Sequence, residues 1–156
     1  MRKLKIFTDG SSRGNPSPHC GCSYVIVENG IVLFSKGNYI PNATNNIAEM
    51  QGVINGLKKI EEMKKKESFE MIGVEILSDS AYVVNCINNR WYIKWKNNGW
   101  KTADGNNVKN KKLWIEIIGL YEKLMPTFTK VRGHSGNFYN ELADTLAKKA
   151  SASEGI

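Results

Sequence analysis

Hydrophobic residues change their spacing partway along this chain. Over residues 3–9 they alternate with polar ones, in Lys5-Ile6-Phe7-Thr8-Asp9, and two β-rich runs follow, Cys22 to Val27 and Ile31 to Tyr39. Alternation at period two is a strand with one face buried. Glu28-Asn29-Gly30 separates the second and third runs, and Asn-Gly accepts the positive φ angles of a tight hairpin. From about Asn46 to Lys66 the steps become three and four, with Ile47, Met50, Ile54, Leu57 and Ile60 forming one helical stripe. Thr44, Asn45 or Asn46 can cap that helix, which puts Glu49 in its first turn. A buried strand is expected from Gly73 to Asp79, a helix from Ser80 to about Asn88, a long helix from Lys109 to Leu124, a short strand from Phe128 to Val131 and a last helix from Phe138 to Ala150. Three hairpin-linked strands followed by alternating strands and helices imply an α/β fold: a mixed sheet flanked by helices.

With 156 residues, the chain fits one domain over residues 1–150, with 151–156 as a disordered tail. A 41% hydrophobic and 24% charged composition is that of an ordinary globular protein. No apolar run is long enough to span a bilayer, and the start lacks the apolar stretch of a signal peptide, so a cytoplasmic protein is expected. The three cysteines, Cys20, Cys22 and Cys86, are an odd number in a reducing compartment and give no disulfide framework. His19, Cys20 and Cys22 invite a zinc reading, but no second Cys pair exists. Small, partly buried thiols are the expected alternative.

Two carboxylates stand at strand ends. Asp9 follows Phe7-Thr8 and Asp79 follows Leu77-Ser78. Open α/β sheets bind ligands at the carboxyl ends of their strands, so the two side chains converge if their strands are parallel neighbours. Glu49 could join them from its helix, and Asp144 from the row Asn140, Asp144, Lys148 of the last helix. Close carboxylates repel and a divalent cation relieves that repulsion. An all-oxygen donor set suits Mg²⁺ or Mn²⁺ and phosphoryl chemistry with two ions. Each residue taken alone has a plainer reading: Asp9-Gly10 as a turn, Asp79-Ser80 as a cap, Glu49 as a helix-dipole charge, Asp144 as a solvent-facing residue.

All four tryptophans lie within residues 90–114, together with Arg90, Lys94, Lys96, Lys101, Lys109, Lys111 and Lys112 against Asp104 alone. That surplus of six is nearly all of the chain's net +7. The stretch between Trp95 and Val108 is too polar for a core and reads as a projecting loop. Cations that meet phosphates and indoles that pack on sugars or bases make it a nucleic-acid contact. Trp114, in phase with Ile117, Ile118 and Tyr121, belongs to the core. For Trp91, Trp95 and Trp100 the competing reading is also core. On the first helix, Lys58, Lys59 and Lys64 to Lys66 alternate with Glu61, Glu62 and Glu67, as on a solvated face.

Taken in order, Phe7-Thr8-Asp9-Gly10-Ser11, Gly14-Asn15-Pro16, Thr44-Asn45-Asn46-Ile47-Ala48-Glu49, Ser78-Asp79-Ser80-Ala81-Tyr82-Val83, Gly99-Trp100-Lys101-Thr102, Val108-Lys109-Asn110, Leu113-Trp114, Val131-Arg132-Gly133-His134-Ser135-Gly136, Asn140-Glu141 and Ala143-Asp144 resemble the type 1 ribonuclease H family, in its bacterial form with a basic protrusion. The resemblance runs from about Lys5 to Ala150. It implies the ribonuclease H-like fold, a five-stranded mixed sheet flanked by helices. It implies an endonuclease that hydrolyses the RNA strand of an RNA–DNA hybrid with two Mg²⁺ ions (or Mn²⁺) when substrate is bound, leaving 5′-phosphate and 3′-hydroxyl ends.

Carried over residue by residue, the resemblance makes Asp9, Glu49, Asp79 and Asp144 the metal ligands and His134 the mobile-loop histidine that assists proton transfer or product release. Asn15, Asn45 and Asn46 become readers of the minor groove and the RNA 2′-hydroxyls. Thr44 and Asn110 become a DNA-phosphate pocket, and Trp91, Trp95 and Trp100 the protrusion that holds the DNA strand. A monomer is expected, with no hybrid-binding domain ahead of the catalytic part. Ser17-Pro18-His19-Cys20-Gly21-Cys22 departs from the family's glycine-rich continuation and puts the first turn in doubt. Two rivals remain: another nuclease of this fold, such as a junction resolvase or integrase core, and a hybrid-binding protein without catalysis.

Overall fold

The computed structural model describes residues 2–67, 72–132 and 136–153. Among them the elements run β1 (Arg2–Ser12), β2 (Ser17–Glu28), β3 (Ile31–Ala43), α1 (Asn45–Glu67), β4 (Ile72–Ser78), α2 (Ala81–Asn88), α3 (Trp91–Asn97), α4 (Lys111–Leu124), β5 (Thr127–Lys130) and α5 (Phe138–Ala152). The sheet order is β3-β2-β1-β4-β5, antiparallel through β3, β2 and β1 and parallel from β1 to β4 to β5. This is the mixed five-stranded sheet that the hydrophobic spacing implies.

The β2–β3 hairpin closes on Asn29 and Gly30 with φ of 52° and 76°, which is why Asn-Gly stands there. The main core fills the space between one face of the sheet and α1, α2 and α4, built from Leu4, Ile6, Ile26, Ile54, Leu57, Ile76, Trp114 and Ile117 among others. A smaller cluster of Phe7, Val25, Val27 and Ala143 lies under α5 on the opposite face. Gly21 and Gly37 let α5 seat closely: a Cβ at these positions would lie 2.6 Å from Ser151 N and 2.7 Å from Leu146 O, respectively. Gly21 therefore explains part of the unusual Ser17–Cys22 stretch, which forms the start of β2.

Three expectations change. Residues 91–97 form a helix, α3, for which no element was expected and which runs into the start of the projecting loop expected between Trp95 and Val108. The helix puts Trp95 toward the core, an arrangement that composition alone does not reveal. The turn-rich stretch from Asp9 to Pro18 holds only a short bend at residues 13–16, because β1 continues to Ser12 and β2 begins at Ser17. The expected tail does not begin at Ser151: α5 runs to Ala152, and Ser151 is buried, with its Oγ donating to Lys148 O at 2.7 Å.

Candidate active site

β1 and β4 are parallel and in register, with Phe7 beside Leu77. Asp9 and Asp79 follow two residues later on each strand, so they leave the paired region side by side. Asp9 is not the terminal residue of its strand, since β1 goes on to Ser12 against β2. β4 stops at Ser78, and its departure opens the space next to Asp9. Ser80, not Asp79, caps α2: its Oγ accepts from Val83 N at 3.2 Å. Asp79 is thereby free of the plainer role its sequence allowed it.

Glu49 arrives on α1. Thr44 caps this helix, its Oγ1 accepting from Ile47 N at 3.2 Å and its carbonyl from Ala48 N at 3.0 Å. Glu49 is the fifth helical residue, past the first turn in which the sequence placed it. Its side chain faces β1 and is buried. The close approach depends on Gly10, where a Cβ would lie 2.6 Å from Glu49 N and 2.7 Å from Ala48 C. Gly52 continues the approach one turn on, its Cβ position lying 3.0 Å from Ser23 O and 3.1 Å from Asp9 O. The sequence showed Gly10 only as a turn residue; its real use is to let a helix touch a strand.

One carboxylate oxygen from each of Asp9, Glu49 and Asp79 lies within 4.8 Å of the others. Asp144 comes from α5 on the other face of the sheet. Ser23, paired with Asp9 across the β1–β2 ladder, donates its Oγ to Ala143 O at 2.5 Å. That bond ties the residue before Asp144 to the strand beside the site. Ser23 is a positioning residue the sequence did not disclose, because a lone serine in an apolar strand carries no signal. Asp144 is near enough to Asp9 to act on its carboxyl, but it stands outside the tight group of three and its Oδ2 accepts from Lys148 Nζ at 2.9 Å.

The electrostatics follow from this crowding. Burial first, then the Asp79 charge, push the Asp9 carboxyl up to about 7, against the lowering effect of its bond from Gly10 N; Asp144 adds to the rise. Burial, with Asp9 and Asp79 as neighbours, holds the Glu49 carboxyl well above its ordinary range. Glu49 Oε2 is buried and, among the described residues, has no hydrogen-bond partner. An acceptor left without a donor among like charges fits a divalent cation, which would neutralise the group and fill the empty acceptor position. Oxygen donors without nitrogen or sulfur suit a hard ion.

The zinc alternative finds no support in the geometry. Cys20 and Cys22 are buried, burial pushes the Cys22 thiol up to about 12, and His19 Nδ1 pairs with Tyr39 OH at 2.7 Å. Among the described residues, Asp9, Glu49 and Asp79 are the cluster suited to a metal.

The residues expected at the substrate fall in two groups. Asn15 is exposed in the bend, and its Oδ1 accepts from Asn45 N at 3.0 Å, joining the Gly-Asn-Pro segment to the start of α1. Asn45 and Asn46 follow the Thr44 cap, which satisfies the helix end without their side chains. Asn110 precedes α4 in the left-handed region, at φ 59°, with its Nδ2 donating to Tyr82 OH at 3.3 Å. Trp91 is 42% exposed, whereas Trp95 and Trp100 pack partly buried against the main core. The Trp95 ring lies 5.9 Å from that of Trp114, which is fully buried as its phase requires. Of the three indoles expected at the substrate, Trp91 is thus outward and the other two are half-buried. The half-buried ring of Trp95 follows from α3, which turns it inward. His134 lies outside the described residues.

The RNase H family model matches residues 1–152. The Ribonuclease H of Clostridium botulinum is 40% identical over 154 residues, with 96% of each chain covered. That of Caldicellulosiruptor saccharolyticus is 37% identical over 148 residues, covering 95% of each. Among solved structures, the N-terminal RNase H domain of Rv2228c from Mycobacterium tuberculosis, fused to maltose-binding protein, matches with a TM-score of 0.76 at 27% identity, over 99% of this chain and 96% of that one.

Proposed function

The chain belongs to the RNase H family, and from that premise we propose that it hydrolyses the RNA strand of RNA–DNA hybrids at a site formed by Asp9, Glu49, Asp79 and Asp144. The observation that carries the site is the meeting of three carboxylates from three separate elements within 4.8 Å, one of them with a buried, unpartnered oxygen. A non-catalytic hybrid binder has no use for that repulsion.

When bound, two divalent ions, Mg²⁺ or Mn²⁺, supply activation of the attacking water and stabilisation of the leaving oxygen. The residues do the rest. Asp9 keeps one carboxylate oxygen on Gly10 N at 2.9 Å, which fixes the other toward the site. Glu49 and Asp79 complete the acidic side of the cleft, and Asp144, paired with Lys148 on α5, would add a fourth carboxylate to hold the ions. Water attacks phosphorus, the bond to the 3′-oxygen breaks, and the leaving oxygen takes a proton. His134 is assigned to that proton transfer or to release of the product. The ends are a 5′-phosphate and a 3′-hydroxyl.

Discrimination for RNA falls to Asn15, Asn45 and Asn46, whose amides can donate to and accept from 2′-hydroxyls. The bond between Asn15 and Asn45 sets their relative position. Thr44 and Asn110 take a DNA-strand phosphate. Trp91, with the exposed edges of Trp95 and Trp100, faces the DNA strand. Contacts of this kind go to backbone and shallow groove, so little base preference is expected. We place the reaction in the cytoplasm, performed by a monomer; no described helix is long and apolar enough to cross a membrane.

The test is cleavage of an end-labelled hybrid with and without Mg²⁺ or Mn²⁺, beside duplex RNA and branched DNA. Metal-dependent cutting of the hybrid's RNA strand supports the reading. Preference for the branched DNA would instead make the protein a resolvase, and tight hybrid binding without turnover would make it a binding protein.

A further inference from the structure

Trp114 is fully buried, and a buried indole N–H needs an acceptor. Its partner is Tyr82 OH, at 2.9 Å from Trp114 Nε1, and the two rings meet edge to face with centroids 5.4 Å apart. The same hydroxyl accepts a second hydrogen bond, from Asn110 Nδ2 at 3.3 Å. A phenol oxygen accepts two hydrogen bonds at most, so these two donors fill its acceptor capacity.

Asn110 has an unusual setting. It directly precedes α4 in the left-handed region, where its side chain does not cap the helix. An asparagine in that place ordinarily bonds its own helix end. Here the carboxamide reaches across to α2 instead. Tyr82 is the second residue of α2, which begins just after Asp79. Trp114, immobile in the core, holds the phenol; the phenol holds one N–H of the carboxamide; the carboxamide's carbonyl and second N–H remain for a ligand.

We propose that the Tyr82 hydroxyl is a positioning residue for substrate, fixing the Asn110 carboxamide toward a phosphate of the uncut strand. The proposal rests on the reading of Asn110 as a phosphate contact. It adds that Tyr82 serves affinity through Asn110 and plays no part in the chemical step. Loss of the hydroxyl leaves the ring stack in place and lets the carboxamide rotate, so ordering it on binding becomes more costly.

Steady-state cleavage of a hybrid by Tyr82→Phe, Asn110→Ala and the double variant, each assayed well below its own Tm, tests this. Tyr82→Phe should raise KM about three- to tenfold with kcat within twofold. The double variant should be no worse than Asn110→Ala, because the tyrosine acts only through the asparagine. An unchanged KM in Tyr82→Phe, a fall in kcat, or additive effects would overturn the proposal. An unchanged KM in Asn110→Ala would reject the phosphate contact itself, a separate result. Should Tyr82→Phe not fold, the side-chain amide of Asn110 in the wild-type protein can be followed by NMR relaxation. It should be as ordered as the helical backbone, and free averaging would refute the assignment.

Discussion

At the scale of single residues, the four carboxylates differ in setting, and the differences make predictions. Asp9 is raised to about 7 by burial and its acidic neighbours. A carboxyl whose folded value lies above its unfolded value binds more protons when folded, so the metal-free protein loses stability as pH rises from about 4 to about 7. Asp9→Asn removes that loss. The variant should melt about 2–8 °C higher than wild type at pH 7.5 without metal, for a gain of about 1–2 kcal/mol. Millimolar Mg²⁺ should raise the Tm of wild type and not of the variant. Calorimetric melting with EDTA and with Mg²⁺ checks both, and a wild type more stable than Asp9→Asn in EDTA would contradict the electrostatic account. The same variant, and Asp79→Asn, should lose cleavage by about 10³-fold or more while binding hybrid nearly as well. Near-normal turnover in either would remove these residues from the site.

At the scale of elements, the site depends on how closely α1 crosses β1. Gly10→Ala would bring a methyl group to 2.6 Å from the backbone of Glu49, and neither the strand nor the helix end can yield cheaply. We expect a stability cost of about 1–3 kcal/mol and a fall in kcat of about tenfold to a hundredfold, because Glu49 must move away from Asp9. Denaturant melts and kcat on a hybrid check this; unchanged kcat would show that Glu49 is not held by the crossing. The sequence was legible where spacing encodes the element: the hairpin at Asn29-Gly30, the stripe of α1, the apolar run of β4. It was not legible where the cause is packing between distant segments. Gly10 and Gly21 look like turn residues, yet each lies directly beneath a helix. Ser23 pins α5 through a bond across 120 positions. The seven residues of α3 are too few for a periodic signal, so nothing in the spacing told which way Trp95 faces. The acidic residues were found one by one, but that three of them meet followed only from the parallel pairing of β1 with β4.

At the scale of the whole molecule, the charge is uneven. The surplus of six in residues 90–114 carries nearly all of the net +7, while three lysines of α1 pair with acids on their own helix or on α4: Lys58 with Glu116 at 2.6 Å, and Lys59 and Lys66 with Glu62 at 3.4 and 3.2 Å. Only unpaired cations release counterions from a nucleic acid, so hybrid affinity should track the former group and ignore the latter. Within the basic segment one lysine is already engaged: Lys96 Nζ meets Glu122 at 2.5 Å. Lys94, Lys101 and Lys109 are exposed and open to solvent. Binding of hybrid by the Asp9→Asn protein should therefore weaken steeply with salt. Replacing Lys94, Lys101 and Lys109 by Gln should flatten the slope of log K against log salt by about one for each phosphate no longer neutralised, whereas Lys96→Gln and Lys66→Gln should leave it nearly unchanged. Fluorescence anisotropy across a series of salt concentrations measures each slope. Equal slopes in all four proteins would mean that the segment does not touch phosphate, and that its charge only keeps the molecule dispersed.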